Sequence, residues 1–195
     1  MRSGRVRFVV FRENEFWVAQ CLEYDIGAQA GSLQQLQIRT SAALQCELEE
    51  SLIRYGTPLS GLGGTPHQFC AIWAKRSASY VSLPFIDMPH IRVDVALCEC
   101  RPFVENHTKG STLAEYCAWA NSAGCSVKSN IFVGRTGHAE RVVKMSASTL
   151  SRALEVGILD RDVLAPTTLA RLNRRLGLQR LFGPSAQSSA RWSRT

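Results

Sequence analysis

No stretch of the sequence approaches the ~20 consecutive apolar residues that a bilayer-spanning helix needs. Its opening, Met-Arg-Ser-Gly-Arg-Val-Arg-Phe-Val-Val, begins basic and turns apolar, but charge returns at Arg12-Glu13. That apolar stretch is too short for a secretory signal. The expectation is a cytoplasmic protein with no membrane partner. Histidine is scarce, with four in 195 residues. His67, His90 and His107 fall in or near loop segments and read as structural or exposed. The seven cysteines (21, 46, 70, 98, 100, 117 and 125) are odd in number and irregular in spacing. Most sit among apolar residues, as Cys70 does in Phe69-Cys70-Ala71-Ile72-Trp73, and read as reduced, buried small hydrophobes. Cys98-Glu99-Cys100 with His107 downstream lacks the paired ligand spacing of a zinc module. No metal and no cofactor is therefore expected. No internal repeat relates one half to the other, so the halves are treated as separate units.

What the sequence does have is an uneven charge. Hydrophobic residues make up 45% and charged residues 20%, enough to build a core in one large domain or two small ones. The net charge is +7, yet residues 1–100 hold 9 Lys/Arg against 10 Asp/Glu, while 101–195 hold 14 against 6. Such asymmetry points to two units with different partners. A strongly basic half suits nucleic acid or an anionic surface, or serves solubility alone.

Residues 5–12 alternate Val6, Phe8 and Val10 against Arg5, Arg7 and Val9, a strand pattern. Glu13-Asn14-Glu15 is a turn signal, and 16–24 reads as a second strand, giving a hairpin. A short third strand at 26–30 ends at Gly31. Ser32 is a suitable N-cap for a helix over 33–55, striped by Leu33, Leu36, Thr40, Leu44, Leu48, Leu52 and Tyr55, with Gln35, Arg39 and Glu49 on the other side. Gly56 ends it. Thr65-Pro66 predicts an N-cap and first-turn proline for a short helix over 67–75. Residues 91–98 alternate again as a strand.

Pro102, Asn106, His107, Lys109 and Gly110 break all periodicity, so 101–110 is taken as a linker between a domain at 1–100 and one at 111–180. Ser111 or Thr112 caps a helix to about Ala123. Strands are expected at 127–133, 139–145 and 150–158, then a last helix over 166–176 stopped by Gly177. Residues 181–195 read as a flexible polar tail. The fold class is α+β, ordered β-β-β-α-α-β and then α-β-β-β-α.

The stretch 15–33, E-F-W-V-A-Q-C-L-E-Y-D-I-G-A-Q-A-G-S-L, resembles the signature of HicB antitoxins, where such a strand precedes a short strand, a glycine and a long leucine-striped helix. The resemblance implies a partial RNase H fold over about 5–98, without its catalytic carboxylates. Glu15, Glu23 and Asp25 likewise show no metal-binding pattern. It also implies pairing of two copies, a homodimer through this domain. The stretch 164–178, L-A-P-T-T-L-A-R-L-N-R-R-L-G-L, is similar to the final helix of HicA toxins through Leu164, Pro166, Thr168, Leu169, Leu172, Gly177 and Leu178. That resemblance implies a small domain akin to double-stranded-RNA-binding folds over 111–178, with RNA as its partner. The HicA family's catalytic histidine follows Gly-Ser at the opening of its second strand. Here Thr136-Gly137-His138 stands in that place, and the family's strand-two aromatic is missing.

RNA cleavage needs a group that titrates near neutrality, and histidine suits it. His138, beside a glycine turn in the basic half, is the candidate catalytic residue, with Arg135, Arg141 and Lys144 to hold phosphate. The bland alternative is a solvent-exposed turn histidine. Arg171, Arg174 and Arg175 form a cationic side of the last helix opposite Leu169, Leu172 and Leu176. They read as RNA phosphate contacts or as a solvated face over a leucine core. The leading expectation is a toxin–antitoxin-type regulatory protein. In it, an antitoxin-like domain masks an RNA-binding module in cis or in trans, and Glu47, Glu49 and Glu50 cover the basic half by charge complementarity. The alternatives are a weak mRNA ribonuclease using His138, and a transcriptional repressor reading its own promoter with helix 166–176.

Overall fold

The computed structural model describes residues 4–74, 91–98, 111–134, 137–148 and 151–178. The expected linker 101–110, the tail 181–195, and Arg135, His90, Cys100 and His107 lie outside the described residues. The class is α+β, with elements in the expected order: β1 (Gly4–Glu13), β2 (Phe16–Cys21), β3 (Gly27–Ala30), α1 (Leu33–Tyr55), α2 (His67–Ala74), β4 (Ile91–Leu97), α3 (Leu113–Ser122), β5 (Ser126–Val133), β6 (Ala139–Ser146), β7 (Arg152–Val156) and α4 (Pro166–Leu176).

The strands form two sheets. One runs β3-β2-β1-β4, with β4 parallel to β1 and the other pairs antiparallel; the second is the antiparallel meander β5-β6-β7. Asn14 makes the β1–β2 turn at φ 55°, a left-handed conformation that asparagine tolerates well. β2 stops at Cys21, three residues short of the expected end. There Glu23 turns back to accept from the Arg7 backbone N–H at 2.7 Å and from its Nε at 2.6 Å. The Thr65 hydroxyl does not cap α2 as expected. It sits 2.6 Å from the Cys21 carbonyl and 2.7 Å from that of Tyr24, pinning the same bend.

Strand alternation sorts the two faces. Val6, Phe8, Val10, Ala28 and Ala30 of the first sheet share one apolar cluster with Leu36 and Leu44 of α1, and with Val142, Leu154 and Val156 of the second sheet. α1 therefore lies across both sheets. On the other face, Val9, Phe11 and Val18 pack against Phe69 and Ile72 of α2. Val143, Met145 and Ala153 pack against α3 and α4. Side chains such as Leu36 and Leu44, fully buried, each contribute roughly 1.5–3 kcal/mol by leaving water.

The helix ends follow their local chemistry. Ser32 accepts from the Gln35 N–H, and Gly56 closes α1 in the left-handed region at φ 67°. Thr112 and Glu115 form a reciprocal capping box on α3. The expected stripe on α1 needs correction. Leu52 and Tyr55 are 46% and 37% exposed, whereas Arg39, placed on the outer side, is 7% exposed. A helix covered from one side buries one stripe. α1 is covered from two, because the second sheet closes over its flank. None of the described helices is long and apolar enough to cross a membrane.

Candidate functional site

The start of α4 lacks a cap of its own. Ala165 occupies the N-cap without a side-chain oxygen, and Pro166 follows in the first turn. A helix leaves its first N–H groups unpaired, and here the first half of the chain supplies the acceptor. Glu13, at the end of β1, accepts from the Thr167 backbone N–H at 2.8 Å and from its hydroxyl at 3.0 Å. Burial pushes the Glu13 carboxyl above its ordinary value, and the two Thr167 hydrogen bonds oppose that rise. Gln29 of β3 works one step earlier. Its amide donates to the Val163 carbonyl at 2.8 Å and accepts from the Ala165 N–H at 2.7 Å, as one rung of a ladder would.

Spacings of three and four residues place Arg171, Arg174 and Arg175 on one side of α4. Leu169, Leu172 and Leu176 go to the opposite side, into the cluster with α3. The arginine side is turned toward carboxylates. Arg171, 1% exposed, pairs with Glu155 of β7, itself fully buried. Burial drives the Glu155 carboxyl upward and Arg171 pulls it back. Gly27 of β3 permits the approach: a Cβ there would collide with the Arg171 guanidinium and lie 2.6 Å from the Ala19 carbonyl oxygen. Arg174 forks onto Asp25, at 3.2 Å from Nε and 2.9 Å from Nη2. Arg175 donates to the Glu47 carboxylate and, at 3.2 Å, to the Asp25 carbonyl.

The second sheet adds cations around Glu47 and around Glu50 one turn along α1. Lys144 of β6 reaches Glu50 at 2.7 Å. Arg152 of β7, 5% exposed, stands 3.4 Å from Glu47 and 3.5 Å from Glu50. Burial lowers the Arg152 pKa from its ordinary value, and it does the same to Arg39, whose Nη1 donates to the Gln29 carbonyl at 2.9 Å. The seam between the halves is thus a layer of charged and polar groups beside an apolar cluster that both halves share.

The residues singled out for chemistry divide into two places. Arg171, Arg174, Arg175 and Lys144 all meet carboxylates, and of these Glu155 alone belongs to the second half. Of the three glutamates expected to face the basic half, Glu47 and Glu50 pair with cations there, while Glu49 is exposed and bonded to Gln45 along the helix. His138 lies elsewhere, exposed before β6, its carbonyl accepting from the Gly134 N–H at 3.0 Å. Gly137 beside it takes a positive φ of 79°. Arg141 binds Ser129 and Asp160, each at 2.8 Å. Three residues apart on one strand, Arg141 and Lys144 project from opposite faces, so the structure does not gather them around His138.

Glu13, Asp25, Gln29, Arg152 and Glu155 were not anticipated as seam residues. Asp25 and Arg174 are 149 positions apart, so no local pattern couples them. The weak available signal was a proline-led helix with no capping side chain at 165. Among the described residues, no cluster of three or more His, Cys, Asp and Glu is placed to hold a metal ion. The six described cysteines are free, and burial pushes Cys21 and Cys46 up to about 12, which leaves them as inert thiols. α4 follows a strand, β7, and not a helix. Comparison with protein-family models, curated proteins and solved structures finds no match.

Proposed function

We propose that the chain is a self-masked RNA-binding regulator of the toxin–antitoxin type, a HicB-like domain seated on a HicA-like module. The observation that carries the reading is the pairing of Arg174 and Arg175 with Asp25 and Glu47 across the seam. Guanidinium groups placed on one helix side, as phosphate recognition needs, are held by carboxylates of the other half. RNA and the first half would compete for the same donors. The closed form is then the weak binder, and loosening the seam raises RNA affinity.

The test is fluorescence anisotropy of a structured RNA with the full chain and with Asp25→Asn, Glu47→Gln and their combination. The reading expects the combination to bind at least about 10-fold more tightly than the parent, with a steep loss of binding as salt rises. Growth arrest by residues 108–195 expressed alone, relieved by residues 1–100 in trans, would add to it. Equal RNA affinity for all four proteins would end the masking reading.

A second reading, an mRNA ribonuclease using His138, draws on the exposed position of that histidine at a glycine turn. RNA degradation lost in His138→Ala supports it. Equal degradation by both proteins, or none by either, removes it. The promoter-reading alternative is not favoured, since a helix-turn-helix needs a helix close before α4 and a strand stands there.

A further inference from the structure

We infer that β5 is the docking edge for a second copy of the chain, the two strands pairing antiparallel about a twofold axis at Asn130 and joining the two meanders into one sheet. The inference needs only the packing of the chain and does not rest on RNA binding. β5 stands at the edge of its sheet, and among the described residues nothing pairs with its outer row of N–H and C=O groups. Natural edges are usually kept short or are interrupted by proline, bulges or charge. β5 runs for eight residues, against about 5–6 for a common strand, with no proline and a single charge, Lys128. Along it Ile131 is 70% and Val133 61% exposed, and Ile53 of α1, 81% exposed, lines one groove together with Ile131. Exposed apolar groups gathered beside an open edge form a template for another strand.

Charge selects a second copy as the occupant. Strand alternation puts Lys128, Asn130 and Phe132 on the side of the sheet that faces α1, where Phe132 joins the shared apolar cluster. Lys128 stands opposite Lys144 in the β5–β6 register. Lys144 is held by Glu50, and Lys128 meets no carboxylate among the described residues. Glu49 lines the same groove as Ile53 and Phe132, is exposed, and is bonded to Gln45 with no described cation. Antiparallel strands related by a twofold axis keep each side chain on its own face, so the axis passes through one residue. With Asn130 on that axis, Lys128 falls opposite the second copy's Phe132, at the groove that carries the second copy's Glu49. The contact repeats in return, so each copy offers a cation and a carboxylate to the other. Val127 then meets the second copy's Val133, and Ser129 its Ile131, with no like charges opposed.

The test is sedimentation equilibrium of the full chain over a range of concentrations, with amide hydrogen exchange of residues 126–133 followed in parallel. A monomer–dimer equilibrium is expected, and exchange along β5 should slow as the dimer fills. Ile131→Lys combined with Val133→Lys alters two exposed side chains, so the fold should persist by circular dichroism while the dissociation constant rises at least about 10-fold. Lys128→Glu should weaken the dimer by opposing the second copy's Glu49, and adding Glu49→Lys should restore it. That rescue separates a paired contact from a general effect of charge. A chain that stays monomeric up to ~1 mM overturns the inference. So does a dimer whose constant is unchanged in the double variant, or one that forms without slowing exchange along β5.

Discussion

The two places where the sequence puts cationic and titratable chemistry, the arginine side of α4 and the turn before β6, have opposite surroundings. On α4, Arg171 is 1% exposed and every arginine meets a carboxylate. In the turn, His138 is exposed, and its tie to Gly134 runs through its backbone carbonyl. The difference teaches how to read a basic helix. Charge at helical spacing says which residues share a side, but not whether that side meets solvent, nucleic acid or the chain's own acids. The α4 arginines are part of what holds the halves together, whereas the hydrogen bond of His138 stays within its own turn.

Breaking the buried side of this contrast should have the largest effect. Glu155→Leu leaves Arg171 buried without its partner, and equilibrium unfolding in urea should show a loss of about 3–5 kcal/mol. Adding Arg171→Met should restore most of it, because an apolar pair of similar volume avoids the stranded charge. Gly27→Ala drives a methyl into the Arg171 guanidinium and the Ala19 carbonyl, and the same measurement should show a loss of roughly 1–3 kcal/mol.

Next comes the borrowed cap. Glu13→Ala removes the acceptor of the Thr167 N–H and should cost about 0.5–2 kcal/mol. The folded-state pKa of Glu13 lies above its ordinary 4.5, so the native chain holds that proton more tightly than the unfolded one. The contribution is therefore full below about pH 4.5 and is lost as pH rises through the folded value. Unfolding at a series of pH values should show the Glu13→Ala deficit largest in acid and shrinking as pH rises. The smallest effect belongs to the exposed side of the comparison: His138→Ala should change stability by no more than about 0.5 kcal/mol.

Much of the fold was legible because its signals are local. The alternation of 5–12 and 91–98, the cap at Ser32, the stop at Gly56 and the Thr112/Glu115 box all act within a few residues. The errors came where distant chain intervenes. Arg39 looked solvated on a helical wheel and is buried by a sheet that starts at Ser126. Thr65 had the right place for a cap, but the bend at 21–24 claims its hydroxyl. The candidate site was half legible: the clustering of Arg171, Arg174 and Arg175 follows from spacing, and Glu47 and Glu50 stand on α1 as acids able to pair with the basic half. The pairing of Asp25 with Arg174, of Glu13 with Thr167 and of Gln29 with Ala165 depends on how two sheets meet, which no spacing encodes.

The central claim is that the two halves are joined through the arginine side of α4. A double-mutant cycle on Asp25→Asn and Arg174→Gln, read by urea unfolding of the full chain, tests it most directly. Direct contact predicts a coupling energy of at least about 0.5 kcal/mol, with the double variant less damaged than the sum of the singles. Additivity to within about 0.3 kcal/mol would mean that the two residues do not meet, and would contradict the account.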